Sequence, residues 1–169
     1  MSLTFSQGVR VESIQNREIK SLFEYWQALS PAGSAALKDA FDPTHLPCSV
    51  WPRLFMIDVP AAGGDYRFRL LGTYIVGAVG RDFTGNRLIE PDIPGIARSV
   101  TFSLLMRLTG GDGVQHYVGP PSFPPSRRFS SHEQLILPLH DGEGRVNAVI
   151  GGIDYLGFTT AGLFSHAYN

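Results

Sequence analysis

Four short runs in this chain carry side chains whose types and spacing could do chemistry. Gly80-Arg-Asp-Phe-Thr-Gly85 holds an arginine, an acid and a hydroxyl between two glycines. Arg81 offers a planar fork of donors suited to a carboxylate or another anion. The same residues also read as a tight turn whose free amides are capped by Asp82 and Thr84, and the balance falls on that reading. Ser130-Ser-His-Glu133 sets a nucleophile, a base and an acid side by side. Neighbours along a strand point to opposite faces, so this run makes no relay and reads as a strand beginning after a loop. Gly110-Gly-Asp-Gly113 lacks the Lys-Ser/Thr of a phosphate loop and follows a helical pattern, so it reads as a helix stop. Arg127-Arg128 is a basic pair in an exposed loop, and a net charge of −1 leaves no electrostatic footprint for nucleic acid.

The remaining reactive side chains are scattered. His116 and His132 fall on or near strands, and His45, His140 and His166 in loops or the tail. No two lie at i and i+4, so no metal site is expected. The single cysteine, Cys48, excludes an intramolecular disulfide. No complete catalytic set emerges, and the chain reads as a non-enzyme.

The elements that must position these groups follow from periodicity. Asn16 to Leu29 is an amphipathic helix, with Ile19, Leu22, Phe23, Trp26 and Leu29 on one face, ended by Pro31 and Gly33. Ser30 to Cys48 reads as an irregular connector. Leu54 to Val59 and Tyr66 to Leu71 read as a hairpin, the second strand placing Tyr66, Phe68 and Leu70 on one face and Arg67 and Arg69 on the other. Ile75 to Val79 is a short helical turn closed by Gly80, and Pro94 to Leu108 a longer helix. Val114 to Val118, Gln134 to Leu139 and Arg145 to Tyr155 are three further strands, the last two joined through Asp141-Gly-Glu-Gly144. Pro138 removes a ladder donor, which calls for an edge or a bulge. Gly151-Gly152 calls for a bend or a close backbone approach. The order predicts an α+β fold, a five-stranded antiparallel sheet whose last strand closes beside the first, with helices on one face plus the N-terminal amphipathic helix. We divide it into residues 1–48 (helix and connector), 49–157 (the compact domain) and 158–169 (tail).

Tyr25-Trp26, Asp42-Pro43, Trp51-Pro52, Phe55 to Val59, Arg67 to Thr73, Gly80 to Gly85, Glu133 to Leu139, Asp141 with Gly144, and Gly151 with Tyr155 occur in an order that resembles a PAS domain. The resemblance is to the single-domain PAS family common in alphaproteobacteria, and it runs from about Leu22 to Tyr155. It implies a sensory or regulatory module that binds a small molecule, a signalling partner, or both. Neither haem nor flavin is expected. The long helix carries no histidine to ligate haem, and Cys48 precedes the first sheet strand, away from the position of a flavin-adduct cysteine.

In such a fold the inner sheet face and the long helix enclose an apolar pocket with few polar anchors. Its expected lining is Phe68, Leu70, Phe102, Met106, Leu135 and Leu137, with Tyr117 or His116 as the polar anchor and Thr73 at the rim. A core filled by these large side chains is the equal alternative, and would make the chain a dimerisation or docking module. Less favoured is a small enzyme using His116 or Glu133 as a pocket acid or base. Charged residues make up only 17% of the chain, which points to a homodimer or a protein partner covering apolar surface. With no apolar run near 20 residues and no signal-peptide pattern, a cytoplasmic location is expected, without membrane or nucleic-acid partners.

Overall fold

Asn16 opens the first helix by accepting the Ile19 amide on its side-chain oxygen at 3.0 Å, and α1 runs Arg17–Ala28. The computed structural model describes residues 9–30, 35–62, 64–121 and 129–156. The expected stop at Pro31 and Gly33, the Arg127-Arg128 pair and the tail with His166 lie outside them. The hairpin follows as β1 (Leu54–Asp58) and β2 (Arg67–Leu71), then α2 (Thr73–Val79), closed by Gly80 at φ 80°. The helix expected from Pro94 is shorter than its pattern. Gly95, at φ 86°, begins a single tight turn, and Ser99 then caps α3 (Val100–Arg107) by accepting the Phe102 amide at 3.0 Å. A wide turn over Leu108–Asp112 ends it at the glycine run. The strands β3 (Gln115–Gly119), β4 (Ser131–His140) and β5 (Val146–Leu156) complete the chain.

All five strands form one antiparallel sheet in the order β2-β1-β5-β4-β3, so the last strand does close beside the first. Both faces are covered. On the inner face, Phe55, Ile57, Phe68, Ile136, Val149 and Ile153 pack with Leu104, Leu105 and Leu108. On the outer face, Leu54, Leu135, Leu137, Leu139 and Ile150 pack under Ile19, Leu22 and Phe23 of α1. Each of those three helix side chains is nearly or fully buried and contributes about 2 kcal/mol of docking. The aromatics of α1 therefore serve the chain's own sheet. Among the described residues, no helix is long and apolar enough to cross a membrane.

Two local expectations resolve through sheet geometry. A Cβ on Gly151 would come within 2.5 Å of the Phe55 ring and 2.6 Å of the Leu135 carbonyl, so this glycine permits a close approach. Pro138 sits in an inner strand, yet β3 stops opposite Ile136, so β4 is locally an edge there. The Pro138 carbonyl accepts the Trp26 indole N–H at 2.8 Å. Trp26→Phe removes that donor while keeping most of the ring stacked on Phe23, so a loss of about 1 kcal/mol is expected by urea denaturation. No loss would mean that water replaces the indole.

The β2 strand departs from simple alternation. Met56 pairs with Leu70 but Ile57 pairs with Phe68, leaving Arg69 as an extra, unpaired residue. This bulge turns Leu71 inward and Leu70 outward.

Candidate functional site

The inner face is where the apolar pocket is expected. Phe55 and Phe68 come from the hairpin, Ile75 and Val79 from α2, Thr101 from α3, and Ile153 and Tyr155 from β5. The cavity among them is about 30 Å³, room for a single water molecule. Thr101 and Tyr155 are its lining residues with polar side-chain atoms. Thr101 and Gln134 exchange hydrogen bonds, the Gln134 amide donating at 2.9 Å and the Thr101 hydroxyl donating back at 3.2 Å.

Beside this cavity lies an aromatic cluster. The His132 ring stands 5.1 Å from Tyr117 and 5.7 Å from Tyr155, and Phe129 packs on Tyr155 at 4.6 Å. His132 is buried, and its Nδ1 has no hydrogen-bond partner among the described residues. Burial pushes its pKa down from 6.5, partly offset by Gln134 and the Gly119 backbone, so the imidazole stays neutral near pH 7. Burial likewise raises the Tyr117 phenol, whose hydroxyl donates to the Pro120 carbonyl at 3.1 Å.

Glu133, the next residue, points the other way and makes a second polar centre under the start of α1. Its carboxylate accepts the Gln15 amide at 2.8 Å and the Asn16 amide at 2.7 Å, and His116 Nε2 donates to it at 2.7 Å. Burial alone would raise this carboxyl. The hydrogen bonds from His116, Gln15 and Asn16 outweigh it, and the net shift is downward from 4.5. Asp154, paired opposite Glu133 on β5, binds Arg53 at 3.2 Å and the Tyr74 hydroxyl at 3.1 Å. Burial, with the neighbouring Asp154 charge, pushes the Tyr74 phenol up to about 12.

Of the expected lining residues, the structure brings only Phe68 to the cavity. Tyr117 faces inward, settling the choice against His116, which sits with Glu133 on the outer face. Phe102 and Met106 are half-buried against the inner core without lining the cavity. Leu70 is 43% exposed on the outer face because of the Arg69 bulge. Leu135 and Leu137 also belong to the outer core, because their partners Gly152 and Ile150 lie beneath α1 and the inward positions of β4 are Gln134 and Ile136. Thr73 is exposed at the first position of α2.

The lining that sequence reasoning missed includes Phe55, Leu71, Ile75, Phe83, Thr101, Ile153 and Tyr155. Phe55 and Ile75 carried a usable signal as apolar residues of recognised elements. The Arg81 loop behaves as a capped turn. Asp82 accepts the Thr84 amide at 2.9 Å, Gly80 and Gly85 take positive φ, and the Arg81 guanidinium rests 5.3 Å over the Phe83 ring. Cys48 is exposed, and among the described residues no cluster of His, Cys, Asp and Glu could hold a metal ion.

Comparison with known proteins gives three findings. A family model described as PAS domain matches residues 14–153. No curated protein matches the chain. Among solved structures, a light-oxygen-voltage domain chain, from work with a flavin analogue, is similar at 12% identity. That alignment covers 64% of this chain and 79% of the other, with a TM-score of 0.41.

Proposed function

Because the chain belongs to the PAS domain family, whose model spans residues 14–153, we propose that it is a cytoplasmic regulatory module working through protein contact, with a filled inner core and no catalysis of its own. The family supports the sensory or regulatory role. The observation that favours protein contact over an inner-face ligand is the cavity of about 30 Å³, far below the roughly 300 Å³ from which ligand pockets begin. The non-catalytic part of the reading rests on how the polar groups are spent. Glu133 and His116 bind each other, the carboxylate is also held by the Gln15 and Asn16 amides, and His132 lies on the opposite face of the sheet, so the Glu133–His116 pair is spent on holding the fold.

Native mass spectrometry of purified protein tests this. The expected result is the polypeptide mass, or an integer multiple of it, with nothing released on unfolding. A stoichiometric small molecule that disappears when Phe68→Trp fills the inner cavity would overturn the proposal. A second reading is favoured by the orphaned His132 Nδ1 beside Tyr117 and Tyr155. It is a small donor-bearing ligand that opens the core there, and the same measurement would detect it.

A further inference from the structure

The bulge that turned Leu70 away from the core also built something on the other face. A groove of about 330 Å³ lies on the outer sheet surface beyond the reach of α1, within the size range of ligand pockets. Leu54, Met56 and Ile150 supply apolar lining from β1 and β5, and Leu70 extends it from β2. Leu70 is one of few large apolar side chains left exposed, at 43%. Without the bulge, strict alternation would have sent it inward.

Four charged groups gather at the border. Lys38 and Arg69 both border the groove, and both bind the one carboxylate of Asp58, at 3.3 and 3.1 Å. Two cations thus share the Asp58 carboxylate, and with Asp39 at the same border the four groups balance to zero formal charge, so any attraction for an anion is local to Arg69. Arg69 engages Asp58 through Nη1, and its Nε and Nη2 make no hydrogen bond among the described residues. That free edge is the planar fork that carboxylates fit. Asp39 also borders the groove, exposed and without an ion pair to either cation, and it opposes any more highly charged anion.

We propose that this groove binds a small amphipathic monocarboxylate, its apolar body lying on Leu54, Met56, Leu70 and Ile150 and its carboxylate on the open edge of Arg69. The site lies on the opposite sheet face from the inner cavity and is independent of whether that cavity opens.

Isothermal titration with sodium octanoate below its micellar concentration, against the neutral 1-octanol, tests the proposal. Octanoate is expected to bind saturably at one per chain, and octanol about tenfold more weakly, as suits one partly exposed charge-assisted contact. Arg69→Gln is expected to weaken octanoate by about the same factor and leave octanol unchanged. Leu70→Asp should abolish both. Both residues are exposed, so the variants should melt like the parent. Methyl chemical shifts should move at Leu54, Leu70 and Ile150 and stay fixed at Leu71, Ile75 and Ile153. The proposal is overturned by absence of octanoate binding, by equal affinity for octanol, by undiminished binding in Arg69→Gln, or by shifts confined to the inner face. It is equally overturned if light scattering shows that Leu70→Asp dissociates a dimer, because the groove would then be covered by a second copy.

Discussion

Gly72→Ala is expected to lower the melting temperature by about 6–12 °C, the equivalent of about 3 kcal/mol in a domain of this size. The backbone of Gly72 is extended, at φ −66° and ψ 153°, so alanine meets no dihedral penalty there. The obstacle is space. A Cβ at this position would press into the Pro52 carbonyl and stand 2.5 Å from the Trp51 carbonyl oxygen. Those atoms belong to the short turn Trp51–Arg53 that feeds β1, and Gly72 itself donates to the Leu54 carbonyl at 2.7 Å. Backbone on both sides is therefore fixed, and one methyl must separate the start of α2 from the start of β1. Circular dichroism melts of the variant give the answer. A shift under about 2 °C would show that the Trp51–Arg53 turn yields at little cost. Thr73→Ala, at the exposed neighbouring position, is the internal control and should melt like the parent.

Glu133→Gln is expected to cost about 3 kcal/mol at neutral pH, because it breaks a buried charged centre while leaving its partners in place. The amide keeps the size of the side chain but turns a donor toward the Gln15 and Asn16 N–H groups and His116. The cost is also expected to depend on pH in a definite direction. The Glu133 carboxyl is held below 4.5 in the folded chain, so the unfolded chain takes up its proton first on acidification. Its stabilisation is complete above about pH 4.5 and is lost as the pH falls through the depressed folded value. The gap between parent and variant should accordingly be widest at neutral pH and close in acid. Burial of neutral His132 also destabilises the fold in acid, but it is common to both proteins and cancels in their difference. Urea titrations at a series of pH values measure the gap. Parallel curves over the whole range would rule out a charged Glu133 latch. Hydrogen exchange should show the loss first in the opening amides of α1, which the carboxylate holds.

The sheet was legible because its strands carry strong apolar runs with glycine-rich turns between them, and because the Phe55 to Val59 and Glu133 to Leu139 runs match a PAS pattern. The first helix was legible from its stripe of Ile19, Leu22, Phe23, Trp26 and Leu29, and the structure adds the Asn16 cap that opens it. Three details of the site were not. Nothing in Tyr66 to Leu71 marks Arg69 as the extra residue, since a bulge depends on how β1 and β2 register, a property of two strands at once. In β4, Leu135 and Leu137 are the more apolar set, and apolar character alone assigned them to the pocket. The structure gives that set to the face beneath α1 and leaves His132, Gln134 and Ile136 facing inward. In α3, the apolar stripe continues upstream through Ile96, but Ser99 can end one turn and cap the next, and periodicity does not see caps. The small volume of the inner cavity was invisible for a plainer reason, since side-chain volumes become a cavity only when every neighbour is placed.

The short reach of β3 has a consequence for how copies of this protein behave in a crowded solution. An inner strand that outruns its neighbour presents open backbone, a template for another chain's strand and a route to aggregation. Beyond Ile136 this chain closes that gap piece by piece. Pro138 has no N–H to offer, Trp26 occupies its carbonyl, and His140 donates to the Ala36 carbonyl at 2.8 Å where Leu37 bridges the strand end. The first helix and its connector thus also guard the sheet against unwanted strand addition.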